Sequence, residues 1–228
     1  VNSHRHFKKL LASGQRLNSY VITKDSVQFS FEIETGPKKA VKHSIGVDTG
    51  INALSSTSDG NQYGTDIKAC IERVKRCQWG SKGHKTASNS LRQRIDEVAK
   101  QTVKDADLIV VEKLSDLNKN SKLKRRLSQS MRRSIGSSNL KYWLGRLERQ
   151  CETNRVSFRT VPSYYTSQRC PACSHTDSEN RSREVFLCQK CGYSDNADVN
   201  AAKNILERFS TGPYGACYRQ ENLLSKIV

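Results

Sequence analysis

The chain has 228 residues, 39 Lys and Arg against 22 Asp and Glu, and a formal net charge of +17. Hydrophobic residues make up 35%, which suits one sizeable core plus a small module. The sequence has no apolar run of the ~18 residues a membrane helix needs and no signal-peptide pattern, so no membrane partner is expected, a cytoplasmic (in a prokaryote, nucleoid-associated) location is expected, and the excess positive charge points to nucleic acid as the better reading than a membrane surface.

In chain order, residues 1–40 hold two short β-type runs, Tyr20–Thr23 and Val27–Ile33, the second alternating apolar and polar residues as a half-buried strand does. Gly36-Pro-Lys-Lys reads as a linker. Residues 44–65 read as a strand meander: Ser44–Val47, then Ile51–Leu54, a turn at Ser58-Asp-Gly-Asn, and a third short strand. Two helical stretches follow, one with Ile67, Ile71 and Val74 on a face, the other with Leu91, Ile95, Val98 and Thr102. A break of small and basic residues, Gly80-Ser-Lys-Gly, lies between them. Asp107-Leu-Ile-Val-Val-Glu is a continuous apolar run ending in an acid, the pattern of a strand buried on both faces. Residues 115–138 are basic and weakly patterned. Leu140, Trp143, Leu144, Leu147 and Cys151 mark an amphipathic helix, and Val156–Val161 a further strand. A final helix spans Ala197–Phe209, with Asn196 as its N-cap. The order β-β-β-α-β-α-β-[Cys4]-α predicts an α/β fold. It is a mixed sheet flanked by helices in the RNase H-like order, with a four-cysteine insert near its end.

Three acids fall where such a fold gathers ligands. Asp48 follows the first strand, Glu112 ends the buried strand, and Asp198 opens the last helix. Alone, each is more often a turn, strand-end or helix-terminal residue than a catalytic one. Together they predict a cluster in which unpaired carboxylates repel and one takes up a proton. Hard Mg²⁺ or Mn²⁺ suits oxygen ligands, and two ions about 3.5–4 Å apart can cleave a phosphodiester without a covalent intermediate. Asp195 competes with Asp198 for the third place.

Cys170, Cys173, Cys188 and Cys191 form a C-x2-C-x14-C-x2-C array. Two knuckles of two thiolates suit one tetrahedral Zn²⁺, which four sulfurs close to solvent, so this ion is structural. His175 reads as a surface residue beside it. Arg169, Arg181, Arg183 and Lys190 give the ribbon a basic face for phosphate or for solubility. Cys70, Cys77, Cys151 and Cys217 are scattered.

Ile45-Gly-Val-Asp-Thr-Gly, Ile109-Val-Val-Glu-Lys-Leu, Tyr165-Thr-Ser-Gln-Arg-Cys-Pro-Ala-Cys, Phe186-Leu-Cys-Gln-Lys-Cys-Gly and Asp198-Val-Asn-Ala-Ala-Lys-Asn-Ile together resemble the C-terminal half of TnpB (OrfB) proteins. These are transposon-associated relatives of type V CRISPR effectors and Fanzor. The resemblance implies an RNA-guided, Mg²⁺-dependent DNA endonuclease of RuvC type, with guide RNA and target DNA as partners. It makes Asp48, Glu112 and Asp198 the catalytic, metal-binding triad, prefers Asp198 over Asp195, and gives the four cysteines to zinc. It also implies a wedge-like remnant at 1–40, the nuclease domain at 41–163 and 194–210, a target-nucleic-acid-binding zinc ribbon at 164–193, and a tail at 211–228. The family commonly carries a helical recognition lobe, so a homodimer or a separate N-terminal recognition part is a further expected partner. An unguided metal-dependent nuclease and a non-cleaving nucleic-acid-binding regulator are the alternative readings.

Overall fold

In the computed structural model, which describes residues 4–32, 36–113, 140–163 and 165–212, the chain divides between Pro37 and Lys38 into two units. The division falls inside the Gly36–Lys39 stretch expected to be a linker.

The first unit is a helix, α1 (Arg5–Ser13), and a hairpin of β1 (Gln15–Ile22) and β2 (Val27–Glu32). The strands pair antiparallel with Tyr20 opposite Phe29 and Ile22 opposite Val27. The Phe7 ring packs 5.5 Å from Phe29 and 5.8 Å from Phe31. Both strands were expected, although β1 starts five residues earlier than its apolar run. The helix was not expected, although Phe7, Leu10 and Leu11 have the i, i+3, i+4 spacing that signals one.

The second unit is built on β3 (Ser44–Asp48), β4 (Ser55–Thr57) and β5 (Gln62–Tyr63), helices α2 (Ile67–Arg76) and α3 (Lys82–Val103), strand β6 (Leu108–Glu112), helix α4 (Leu140–Thr153) and strand β7 (Ser157–Val161). The sheet order is β5-β4-β3-β6-β7. The first three strands are antiparallel, while β6 runs parallel to both β3 and β7. The first and fourth strands of this sheet are therefore neighbours, as the element order predicts.

Leu108, Ile109, Val110 and Val111 are no more than 1% exposed, and alternate residues serve different layers. Ile109 and Val111 join Ile45 and Val47 against Leu91, Ile95 and Val98 of α3 and Trp143 and Leu147 of α4. Leu108 and Val110 face Ile205 and Phe209 of the last helix, α5 (Ala197–Thr211). The sheet is thus covered on both faces, which is why β6 reads as an unbroken apolar run. Gly46 lets α5 lie directly on β3: a Cβ there would sit 2.1 Å from the Ala202 carbonyl oxygen.

The second strand differs from expectation. It is Ser55–Thr57 rather than Ile51–Leu54. Its Ser55, Ser56 and Thr57 are buried, and their hydroxyls are satisfied. Thr102 donates to Ser55 Oγ at 3.0 Å, Gln62 to Ser56 Oγ at 3.2 Å, and Thr57 donates to the Asn61 carbonyl at 3.3 Å. Hydropathy alone cannot flag a buried strand made of hydroxyl residues. The basic stretch 115–138 and tail residues 213–228 lie outside the described residues.

Between β7 and α5 a small three-stranded sheet, β8 (Arg181–Ser182), β9 (Val185–Leu187) and β10 (Ser194–Asn196), carries the cysteine array. Phe186, fully buried, packs with Cys170, Cys188 and Ala197 as its small core. No helix among the described residues is long and apolar enough to cross a membrane.

Candidate metal and nucleic-acid site

Asp48 is the last residue of β3, Glu112 the last of its parallel neighbour β6, and Asp198 the second residue of α5, whose first turn lies against the sheet. Asn196 caps that helix, accepting from the Asp198 N–H at 3.0 Å and the Val199 N–H at 3.2 Å, which fixes where Asp198 leaves the helix. The turn after Asp48 is tied down by Trp143, whose Nε1–H donates to Thr49 Oγ1 at 3.1 Å. A Cβ on Gly50 would stand 3.5 Å from Asp198 Oδ2 and 3.0 Å from the Ala53 carbonyl, so this turn passes close to the carboxylate.

The three acids act on one another. Burial, then the neighbouring charges of Glu112 and Asp198, push the Asp48 carboxyl from the usual 3.8 up to about 7. This is the proton uptake expected of crowded carboxylates without a cation. The Arg181 guanidinium opposes the shift. Their oxygens are not drawn into one tight cluster: among the described residues, only the four cysteines bring three or more ligand atoms within 4.8 Å of one another.

Two polar neighbours were not assigned here by sequence reasoning. Arg181, at the start of β8, donates from Nη2 to Asp198 Oδ1 at 2.7 Å. Thr166 donates its hydroxyl to Glu112 Oε1. Thr166 is itself held by Asn204 of α5, whose Nδ2 donates to the Thr166 carbonyl at 2.8 Å and the Arg169 carbonyl at 2.7 Å. Arg169 in turn makes a forked pair with Glu207, so α5 clamps the turn that leads into the first cysteine knuckle. Thr166 stood inside a motif quoted for its cysteines. Arg181 read only as part of a basic face.

Asp195 takes another partner. Its Oδ2 accepts from Lys203 Nζ and from the Tyr193 hydroxyl, both at 2.7 Å, and the neighbouring carboxylates that raise Asp48 most are Glu112 and Asp198.

Cys170, Cys173, Cys188 and Cys191 converge, with 3.6 Å between Sγ atoms in the 170–191 and 173–188 pairs. Tetrahedral Zn²⁺ with Zn–S near 2.3 Å requires sulfurs about 3.8 Å apart, so the donor set fits that ion in kind and in spacing. His175 is outside the cluster: its Nε2 lies 3.8 Å from Asp177 Oδ2. The three carboxylates fit a hard divalent cation by donor chemistry and by the raised Asp48 pKa.

Residues 144–205 match the Cas12f1-like TNB domain family. Over 212 residues the chain is 30% identical to "Putative RNA-guided DNA endonuclease InsQ" of Escherichia coli (strain K12), a likeness covering 79% of this chain and 52% of that protein. It is 39% identical over 79 residues to the CRISPR-associated endodeoxyribonuclease Cas12f1 of Sulfoacidibacillus thermotolerans, covering 32% of this chain and 19% of that one. It is 32% identical over 120 residues to the TnpB-like protein aq_aa05 of Aquifex aeolicus (strain VF5), covering 49% and 37%. The chain spans about half the length, or less, of these relatives. Its fold is similar to a protein chain in the cryo-EM structure of a Cas12f1–sgRNA–target DNA complex, with a TM-score of 0.53 at 16% identity over 82% of this chain and 55% of that one. Its acids, its cysteine array and these relatives together support a TnpB family protein.

Proposed function

We propose that this chain carries the RuvC-type, RNase H-like nuclease of an RNA-guided DNA endonuclease, acting by itself or as the nuclease half of one. The observation that carries the reading is Asp48. Burial, then the charges of Glu112 and Asp198 that a neighbouring parallel strand and a helix N-terminus bring near it, raises its pKa to about 7. Such a site is unfavourable until a cation joins it, and nothing in the packing of the sheet needs it.

Asp48, Glu112 and Asp198 would hold two Mg²⁺ or Mn²⁺ ions. Bound there, such ions activate a water and stabilise the leaving 3′ oxygen of a phosphodiester. The chain's own groups prepare the site. Thr166 fixes one Glu112 oxygen and leaves the other for a ligand. Arg181 supplies positive charge at Asp198, beside the position where phosphate charge would lie. The cysteines hold one structural Zn²⁺, which keeps β8 folded and Arg181 in reach. The net charge of +17 supports guide RNA and target DNA as partners, with base pairing reading the target and basic groups holding backbones. In this reading residues 41–163 and 194–210 form the nuclease domain and 164–193 the ribbon.

The test of guidance is sequencing of nucleic acid that copurifies when the chain is expressed with its flanking DNA. One discrete RNA from the adjacent locus is expected. A random mixture contradicts guidance and favours an unguided nuclease.

A further inference from the structure

We infer that Trp79 and the basic residues flanking it form a binding surface for single-stranded DNA, taking one unpaired base on the indole and its neighbouring phosphates on Arg76, Lys82 and Lys85.

Trp79 is 86% exposed, whereas the chain's other tryptophan, Trp143, is fully buried. An exposed indole keeps a large apolar face in water, whereas tryptophan is highly buried on average. It is also held in place. Ser81 N–H donates to the Gln78 carbonyl at 3.2 Å, and Gly80 has φ of +77°, so Gln78–Ser81 is a turn with Trp79 at its corner. Ser81 caps α3 by accepting from the His84 N–H at 3.1 Å, and the His84 ring lies 4.5 Å from the indole, tilted by 54°. Holding the ring beforehand lowers the entropy lost when a second ring stacks on it.

The surroundings select the partner. From residue 67 to 92 there are seven Lys or Arg and one acid, Glu72. Arg73, Arg76, Lys82 and Lys85 are all exposed. An apolar protein partner would not require that charge. A strand that offers both a base face and phosphates uses both features. A duplex hides its base faces.

The location selects the strand. Helix α3 ends at Val103 just before β6 begins at Leu108, so it runs back along the sheet and its first turn lies toward the strands' carboxyl ends, where Asp48 and Glu112 stand. Its 22 residues span about 33 Å against about 17 Å for the five residues of β6. The Trp79 turn therefore reaches past the sheet on the side of the carboxylates, where a strand entering the site would pass. This choice of strand rests on the nuclease reading, whereas the binding measurement does not.

The test uses the full chain without Mg²⁺ or Mn²⁺, zinc retained, so that no cleavage occurs. A single-stranded DNA 15-mer is expected to quench Trp79 emission, while buried Trp143 stays silent. Trp79→Ala, at an exposed turn, should fold normally and lose about tenfold in affinity for the strand, and Trp79→Phe should recover most of it. An abasic strand of equal charge should bind wild type about as weakly as the intact strand binds Trp79→Ala. Equal quenching by intact and abasic strands, equal affinity of Trp79→Ala, or quenching by duplex as strong as by single strand would overturn the inference. Stronger binding of a single-stranded RNA 15-mer than of DNA would overturn the choice of occupant. Binding through Trp79 by a chain that fails to cut a matching target in Mg²⁺ with its copurified RNA would count against the nuclease reading and leave this surface standing.

Discussion

Arg181 Nη2 stands 2.7 Å from Asp198 Oδ1, so the first strand of the ribbon reaches the carboxylate that opens α5. Both side chains are largely shielded, at 30% and 13% exposure, and the guanidinium draws Asp48's pKa down from across the site. In the account given above, Arg181 balances the carboxylates before a cation arrives and phosphate charge afterwards. Arg181→Gln is expected to leave zinc content intact, to move the Asp48 titration above 7 when followed by NMR, and to lower cleavage by about tenfold or more. Unchanged cleavage would remove Arg181 from the site.

The raised pKa of Asp48 has a stability consequence whose sign is fixed. Folded Asp48 holds its proton up to about pH 7, whereas unfolded it would lose it near 3.8. Between those values the folded state binds more protons than the unfolded, so stability falls as pH rises and the cost is fully present above about 7. Asp48→Asn cannot ionise. Without Mg²⁺ but with zinc retained, it should be more stable than wild type at pH 8 by on the order of 1–3 kcal/mol and equal to it near pH 4, while being inactive. Thermal melting at the two pH values measures this. A lower melting temperature than wild type at pH 8 would contradict the crowded-carboxylate picture.

Gly46 sits under α5, and the atoms a Cβ would meet belong to backbone: the Ala202 carbonyl oxygen at 2.1 Å and the Leu206 nitrogen at 2.9 Å. No side-chain rotation relieves this. Gly46→Ala should push α5 off β3, cost at least about 2 kcal/mol, and carry Asp198 away from Asp48, so that melting temperature and cleavage fall together. An unchanged melting temperature would mean that the close approach of α5 is wrong.

Replacing Cys188 by Ser removes one sulfur from a set of four spaced for zinc. Zinc per chain, measured by atomic emission, should fall sharply. Buried Phe186 should become exposed, and cleavage should drop because Arg181 loses its support. Full zinc content in Cys188→Ser would sink the ligand assignment.

What was legible in the sequence is what local patterns encode. The two-sided burial of Leu108–Val111 shows as an unbroken apolar run, the α3 core face as Leu91, Ile95 and Val98, the α5 cap as Asn196, and the cysteine cluster as two spaced pairs. Contacts made across long stretches of chain were not. Thr166 meets Glu112 across 54 residues and Arg181 meets Asp198 across 17, and no spacing rule announces either pair. Strand β4 was displaced because Ser55, Ser56 and Thr57 are buried by pairing hydroxyls rather than by being apolar. Asp195 and Asp198 compete by spacing alone, and no local pattern announces that Lys203 and Tyr193 hold Asp195 while Arg181 holds Asp198.

The proposed function rests on Asp48, Glu112 and Asp198 forming a divalent-metal nuclease site. Its most direct test is DNA cleavage by the purified chain, with the RNA it copurifies and a matching single-stranded target in Mg²⁺, run beside Asp48→Ala. Wild type should cleave only in the presence of the divalent ion, and Asp48→Ala should not cleave while its zinc content and nucleic-acid affinity stay unchanged. Cleavage by Asp48→Ala at the wild-type rate would contradict it.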